Sequence, residues 1–160
     1  LYVGDTSETP QEMPHVEIAR KIAATEKAQF LTLDCALESE IALLPEGERE
    51  EFLKGMGLEE PGLFRFIRST FDLLGLITYY TAGPKEARAW TIRKGTKAPQ
   101  AAGVIHSDFE RGFICAECFK SEDLVRLGNE QKIKEAGLYR QEGKEYVVQP
   151  DDVLLFRFNV

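Results

Sequence analysis

Basic and aromatic residues lie close together in the middle of this sequence, in a combination suited to RNA. Cationic side chains neutralise phosphates, and aromatic rings stack on unpaired bases. The basic residues are Arg88, Arg93, Lys94 and Lys97, and the aromatic residues nearby are Tyr79, Tyr80 and Trp90. A solvated loop beside a core tryptophan would have the same composition, so the residues by themselves leave both interpretations open.

Cys115 and Cys118 are separated by two residues, the spacing of many zinc and thiol-redox sites. Zinc needs four ligands, and the sequence has no second cysteine pair and no closely spaced pair of histidines to complete them. Residues three apart on a strand project from opposite faces, so we expect a strand with one buried thiol. A thiol-redox module is the weaker alternative. His106, Asp108 and Glu110 also alternate, and we interpret them as satisfied polar groups of a turn.

The 160 residues contain no P-loop pattern Gly-x-x-x-x-Gly-Lys-Ser/Thr, and so lack its phosphate cradle and its Mg²⁺-binding hydroxyl. The net charge of −7 repels phosphate backbones and acidic membranes. No apolar run approaches the ~20 residues that span a bilayer, and three cysteines suit a reduced, cytosolic setting. The chain starts Leu1-Tyr2-Val3 with no methionine, in the middle of an apparent strand, and we expect a fragment of a longer protein.

The first third of the sequence has the pattern of alternating strands and helices. Residues 1–3 and 30–33 are short apolar runs, and a helix is predicted from Pro14 to about Lys27. Strand, helix and strand within about thirty residues indicate a βαβ unit and a parallel sheet.

Two helices are predicted between residues 46 and 75. The first opens with the acidic run 46–51, favourable at the positive end of a helix dipole, and the second opens at Glu60-Pro61. Its apolar residues recur at helical spacing and are expected to pack in a core. They are Leu63, Phe64, Ile67, Phe71 and Leu74.

From residue 76 onward the pattern changes to short strands. A β-hairpin is predicted at 77–81 and 87–92, a helix at 98–105 and a strand at 112–119. A loose helical pattern follows at 123–136, then strands at 146–149 and 153–158. A hairpin, a helix and returning strands are the order of a β-grasp, an α+β roll like ubiquitin.

Several strings of this chain together resemble the YchF-type Obg-like ATPases. They include Arg88-Ala-Trp-Thr-Ile92, Lys97-Ala-Pro-Gln-Ala-Ala-Gly103, Ile105-His106, Gly112-Phe-Ile114 and Phe156-Arg-Phe-Asn-Val160. The resemblance implies an α/β fragment of a P-loop, OBG-type G domain at residues 1–53 and a helical connector at 54–74. It also implies an α+β β-grasp (ubiquitin-like) TGS domain at 75–158.

The resemblance also places the base side of a nucleotide pocket in the first domain. The family has Asn-x-x-Glu after its strand, where guanine-specific relatives have Asn-Lys-x-Asp, and the matching residues here are Asp5, Thr6 and Glu8. A second base-contact loop matches Asp34-Cys35-Ala36-Leu37-Glu38, and the backbone N–H groups of Cys35, Ala36 and Leu37 could meet the purine edge. Asparagine can accept from adenine N6–H and donate to N7, whereas an ionised aspartate only accepts. Asp5 therefore leaves the choice between ATP and GTP open. Without the resemblance, both segments read simply as loops after buried strands.

By resemblance, the parent protein is a ribosome-associated, redox- or stress-linked ATPase that binds and hydrolyses ATP, or GTP, with Mg²⁺. It is expected to be cytoplasmic and monomeric, with a TGS domain that contacts a partner or RNA through Arg88, Arg93, Lys94 and Lys97. Without a P-loop, the fragment alone should bind no cofactor and hydrolyse nothing, and we assign it no catalytic residue, metal site or membrane contact. The alternative is a stand-alone β-grasp adaptor that binds protein or RNA without nucleotide chemistry.

Overall fold

The structure, a computed structural model, describes residues 1–5, 14–83 and 86–159. The chain divides into two compact units, Leu1–Leu74 and Gly75–Val160, called here the first and the second unit. Within the described ranges, no helix combines the length and the apolar character needed to cross a membrane.

The first unit begins with two parallel strands, β1 (Tyr2–Asp5) and β2 (Phe30–Leu33), and helix α1 (Pro14–Thr25) lies between them in the chain. In the strand register, Tyr2 lies opposite Phe30 and Asp5 lies opposite Leu33. The predicted strand, helix and strand with parallel pairing are thus confirmed. Val16 and Ala23 of α1 are buried, as is Leu31 of β2, which is the apolar contact that such a unit requires.

Three helices follow: α2 (Cys35–Leu43), α3 (Glu46–Gly55) and α4 (Gly62–Leu74). Helix α2 starts directly after β2, because Asp34 is extended and its side chain accepts a hydrogen bond from the N–H of Leu37. The expectation of a loop at residues 34–38 is therefore wrong. Cys35, Ala36 and Leu37 form the first turn of a helix.

Helix α4 has the predicted helical spacing but not the predicted burial. Leu63, Phe64, Ile67 and Leu74 are between 43% and 55% exposed, and Phe71 is half-buried. The prediction that this apolar stripe packs in a core is thus wrong for the described part of the chain. A period of 3.6 residues shows which side chains share a helix face, but it does not supply the surface against which that face packs.

The second unit contains a five-stranded mixed sheet in the order β4-β3-β7-β5-β6. Its strands are β3 (Leu76–Ala82), β4 (Ala87–Arg93), β5 (Phe113–Lys120), β6 (Arg140–Glu142) and β7 (Asp152–Phe158). Strands β3 and β7 are parallel, and the other neighbours are antiparallel. The predicted hairpin of β3 and β4 is confirmed, and β4 forms one edge of the sheet.

Both faces of this sheet carry apolar clusters. On the first face, helix α5 (Ala98–Ile105) packs closely because its buried residues are alanines, and the cluster includes Tyr79, Leu154 and Phe156. Helix α6 (Ser107–Arg111) follows α5 in the chain. On the second face, the cluster of Phe119, Ile133 and Val153 is completed by residues of α7 (Ser121–Leu127) and α8 (Glu130–Glu135). Residues alternate between these faces along each strand.

Three predictions for the second unit need correction. The segment 123–136 is divided between α7 and α8, because Gly128 ends α7 at φ +83° and the side chain of Asn129 caps α8. The segment 146–149 is not a strand, since its only ladder contact within the described residues is a single bridge from Val147 to Lys97. The additional strand is β6, at residues 140–142.

Candidate nucleotide-base site and basic surface

The carboxyl ends of β1 and β2 lie side by side at one edge of the first unit's sheet. Because Asp5 is in register with Leu33, it lies beside the start of α2, and the backbone N–H of Cys35 donates to Asp5 Oδ1 at 3.2 Å. Ligands of open α/β sheets bind outside this edge. The structure therefore brings Asp5 together with the first turn of α2. Thr6 and Glu8, predicted for the same site, lie outside the described residues.

The first turn of α2 uses most of its N–H groups locally. Asp34 Oδ1 accepts from the N–H of Leu37 at 2.9 Å, and Asp5 takes the N–H of Cys35. The N–H of Ala36 has no acceptor within the part of the chain that the structure describes, and Ala36 is exposed. A helix N-terminus leaves such N–H groups for caps, water or ligands. Ala36 thus offers a backbone donor next to the Asp5 carboxylate.

Glu38 connects the first turn of α2 to the start of α4. Its Oε1 accepts from the N–H of Gly62 at 2.6 Å and its Oε2 from the N–H of Leu63 at 3.3 Å. A carboxylate at this position satisfies two first-turn donors and complements the helix dipole. The sequence predicted Glu38 as the last residue of a base-contact loop and predicted no role for Gly62. The available signal was a glycine directly after Pro61, at the predicted start of a helix.

Acidic side chains dominate the electrostatics of this site. Partial desolvation, together with the nearby carboxylates of Asp5, Asp34 and Glu38, raises the pKa of the Cys35 thiol. The exposed thiol is therefore held in its neutral form at neutral pH, and it is a poor nucleophile. Clustered carboxylates repel phosphate but can accept from the N–H groups of a base. The arrangement thus suits the edge of a purine and not a triphosphate.

The predicted basic residues follow the edge strand β4 and the turn after it. Arg88 lies over the ring of Trp90, 4.3 Å from its centroid, and the Trp90 Nε1–H donates to Thr81 Oγ1 at 2.9 Å. Arg93 and Lys94 are exposed at the end of the strand. Lys97 differs from these because its Nζ lies 2.5 Å from Glu145 Oε2. We call Arg88, Arg93 and Lys94 the basic surface.

The aromatic residues near the basic surface do not form a stacking platform. Tyr79 is fully buried, and its hydroxyl donates to the carbonyl of Ala101 at 2.8 Å. Tyr80 packs half-buried against the cluster on the second face, and Trp90 packs half-buried against the cluster on the first. The expected contribution of Tyr79 to base stacking is therefore wrong, and phosphate neutralisation is the RNA chemistry that this surface retains.

Cys115 and Cys118 are both buried, so the expectation of a single buried thiol is wrong. Cys118 belongs to the cluster on the first face, and Cys115 projects toward the other side of β5. A two-cysteine metal site or disulfide does not fit this placement. Within the described residues, no three His, Cys, Asp or Glu side chains are grouped to hold a metal ion.

Three comparisons show what this chain is similar to. The family model YchF-GTPase_C, described as "Protein of unknown function (DUF933)", matches residues 76–159. The ribosome-binding ATPase YchF of Haemophilus influenzae is 50% identical over 161 residues, and that of Bacillus subtilis is 51% identical over 164 residues. The YchF GTPase of Schizosaccharomyces pombe superposes with a TM-score of 0.80 at 34% identity.

These similarities extend over nearly the whole chain but not over the whole of the relatives. Both bacterial alignments cover 100% of this chain, but only 44% of the Haemophilus protein and 45% of the Bacillus protein. The structural match covers 98% of this chain and 43% of the Schizosaccharomyces chain. The chain therefore spans less than half the length of the curated relatives it matches.

Proposed function

Because the chain belongs to the YchF family, we propose that it contributes the base side of a nucleotide pocket and a docking domain to a longer, ribosome-binding ATPase. The observation that carries this proposal is an identity of 50% and 51% to two ribosome-binding ATPases, over 100% of this chain. The aligned region includes the carboxyl end of β1, where Asp5 meets α2, as well as the edge strand of the second unit. Both surfaces therefore lie within the aligned part of the chain.

The proposed domains are a G-domain part at residues 1–53, a helical connector at 54–74 and a TGS domain at 75–158. The boundary between the two compact units, after Leu74, supports a domain that starts at residue 75. A hairpin, a helix across one sheet face and a parallel pairing of β3 with β7 support a β-grasp fold for that domain. The parallel strands of the first unit support its assignment to an α/β domain.

Asp5 and the first turn of α2 form the proposed contact with the base, together with Thr6 and Glu8. The Asp5 carboxylate accepts from the N6 amino group of adenine, and the N–H of Ala36 is available to an acceptor atom of the ring. In the same orientation, guanine would present its O6 acceptor to the Asp5 carboxylate, and the two oxygens would repel each other. This chemistry favours ATP.

The triphosphate and its Mg²⁺ are proposed to bind to residues outside these 160. The P-loop pattern is not in the sequence, and the acidic base site repels phosphate. In phosphoryl transfer the metal neutralises phosphate charge, and no residue of this chain is assigned to hold it. We therefore expect these 160 residues alone to hydrolyse no nucleotide.

The second unit is proposed to contact ribosomal RNA through the basic surface and Lys97. Arg93 and Lys94 are adjacent and exposed, and within the described residues no carboxylate lies within ion-pair distance of either. Such cations bind phosphates and release counterions, which makes binding sensitive to salt. A ribosome contact implies a cytoplasmic protein, and we propose that it acts there as a monomer. A link to redox or stress conditions rests on the family resemblance alone.

The ribosome contact is tested by reversing two charges in the longer protein that carries this chain. Arg93→Glu with Lys94→Glu should weaken co-sedimentation with ribosomes and reduce the dependence of log K on log salt by about two, one for each lost phosphate contact. The matched control is Lys132→Glu with Lys134→Glu on α8, which makes the same charge change on the second face of the sheet. An equal loss of ribosome binding in both variants would mean that the effect comes from net charge and not from this surface. Unchanged binding in both variants would refute the proposed surface.

A further inference from the structure

Strand β4 has an open edge, and its backbone N–H and C=O groups point alternately toward β3 and away from the sheet. The N–H of Lys94 donates to the carbonyl of Gly75, and the N–H of Gly83 donates to the carbonyl of Glu86. Both contacts fit the register of β3 and β4, in which hydrogen-bonded pairs recur at every second residue. Arg88, Trp90 and Ile92 therefore direct their N–H and C=O groups toward β3.

The intervening residues direct their backbone groups away from the sheet. These are Ala87, Ala89 and Thr91, and all three are exposed. Within the described ranges, their N–H and C=O groups have no hydrogen-bond partner. An exposed row of this kind is a template for an added strand, whose main-chain hydrogen bonds supply affinity.

The side chains next to this row leave room for a partner. Ala87 and Ala89 project to the second face, where they border an apolar groove of about 420 Å³. The groove is also lined by Tyr80, Ala82, Leu124 and Val125, and Val125 is 86% exposed. Because alanine side chains are short, an apolar side chain on an added strand can reach over them into the groove.

The charge of this edge selects among partners. Arg88, Arg93 and Lys94 have no ion pair within the part of the chain that the structure describes. A second copy of β4 would bring like charges together, which disfavours pairing between copies. An acidic strand would instead place carboxylates beside these cations. Charge and groove together fit a segment in which apolar and acidic residues alternate, with apolar residues on one face.

We propose that β4 binds an extended segment of a partner protein, in which apolar and acidic residues alternate, by adding it as a sixth strand at the edge of the sheet. The segment pairs with Ala87, Ala89 and Thr91, and its apolar side chains enter the groove on the second face. Its carboxylates project to the first face, where they contact Arg88. This interaction requires neither nucleotide nor ribosome and so goes beyond the proposed function. Because Arg88 belongs both to the basic surface and to the contact with the segment, the segment and the ribosome should compete.

The test uses the ¹⁵N-labelled 160-residue chain and a synthetic peptide of seven residues that alternates valine with glutamate or aspartate. In the free chain, the amides of Ala87, Ala89 and Thr91 should exchange rapidly with solvent while those of Arg88 and Trp90 are protected. Addition of the peptide should shift and protect the three outward amides. A scrambled peptide that groups its valines, a peptide N-methylated at its pairing residues, and a short single-stranded RNA serve as comparison probes.

The matched variants are Ala89→Pro and Ala89→Ser. Proline removes only an outward N–H, which an edge strand tolerates, so the fold should persist while peptide affinity falls about tenfold. Serine keeps the N–H and should bind like the parent chain. If Ala89→Pro fails to fold, the N-methylated peptide makes the same distinction, and it should not bind. Equal binding of the scrambled or N-methylated peptide, or protection of the outward amides by RNA and not by peptide, would overturn the proposal.

Discussion

The contact between Glu38 and the start of α4 can be tested by adding a single methyl group at Gly62. In Gly62→Ala, the new Cβ would lie 2.5 Å from Leu33 Cδ2 and 2.6 Å from Glu38 Oε1. Neither distance is tolerated, so a neighbour must move. Both neighbours are the ends of side chains, but Glu38 cannot withdraw without losing its hydrogen bonds to the N–H groups of Gly62 and Leu63.

The expected cost follows from those two hydrogen bonds. A hydrogen bond to a charged group contributes about 1.5–3 kcal/mol, and partial exposure of this site places each bond at the lower end. Replacing glycine by alanine in a helix returns at most about 1 kcal/mol. The free energy of unfolding of the first unit should therefore fall by about 1–3 kcal/mol, which corresponds to a decrease in Tm of about 5–15 °C for a unit of this size.

The assay combines thermal unfolding with hydrogen exchange of peptides covering 62–74, and the second unit serves as an internal reference. Gly47→Ala is the matched control, because its new Cβ would meet no atom within 4 Å and it also lies in the first turn of a helix. Glu38→Gln should show a smaller effect, since the amide keeps one acceptor but loses the charge. If Gly62→Ala and Gly47→Ala unfold together, or if exchange in α4 is unchanged, the bridge does not stabilise the first unit.

Three further predictions concern the base site and the second unit. Asp5→Asn keeps the acceptor for Cys35 N–H and adds a donor for purine N7. In the longer protein, calorimetry should therefore show ATP binding about two- to tenfold tighter, and unchanged affinity would mean that N7 already has a donor. The structure describes all three cysteines of the sequence, and Cys35 alone among them is exposed, so it should react first with maleimide. Its rate should increase as pH rises toward its raised pKa and should be higher in Asp5→Asn, because that change removes a carboxylate that raises the pKa; an equal rate in the two proteins would contradict this. Gly112→Ala would drive its Cβ into the backbone carbonyl of Asn159 and should destabilise the second unit by about 3 kcal/mol, measured by Trp90 fluorescence during unfolding. In the control Gly143→Ala the new Cβ meets no atom within 4 Å, so this variant should unfold like the parent; coincident unfolding of the two variants would refute the clash.

Local patterns predicted the elements whose formation depends on neighbouring residues. The apolar run at 30–33, the hairpin of β3 and β4 and the helix at 98–105 are present because strand alternation and turn residues act over a few positions. The family resemblance, seen in strings such as Arg88 to Ile92, is confirmed by the comparisons. Helix α2 was not predicted because its N-cap is Asp34, and aspartate is common in loops as well as at helix N-caps.

Burial was the property that patterns predicted least well. Helix α4 has a clear apolar stripe, yet Leu63 and Phe64 are exposed, while the strand β5 buries both of its thiols. The reason is that periodicity assigns side chains to faces, and only the assembled fold decides which faces are covered. Because the sheet has an apolar cluster on each face, successive residues of a strand, which point to opposite faces, can both be buried.

The sequence by itself determined the family, the parallel pair of strands, the hairpin and the residue types available for a base contact. Only the tertiary structure decided that Cys35 N–H meets Asp5, that Ala36 keeps a free donor among the described residues, and that Glu38 reaches Gly62. It also decided which backbone groups of β4 face outward. These facts depend on register and on contacts between residues more than twenty positions apart, which are fixed by packing and hydrogen bonding across the fold and leave no periodic trace in the chain.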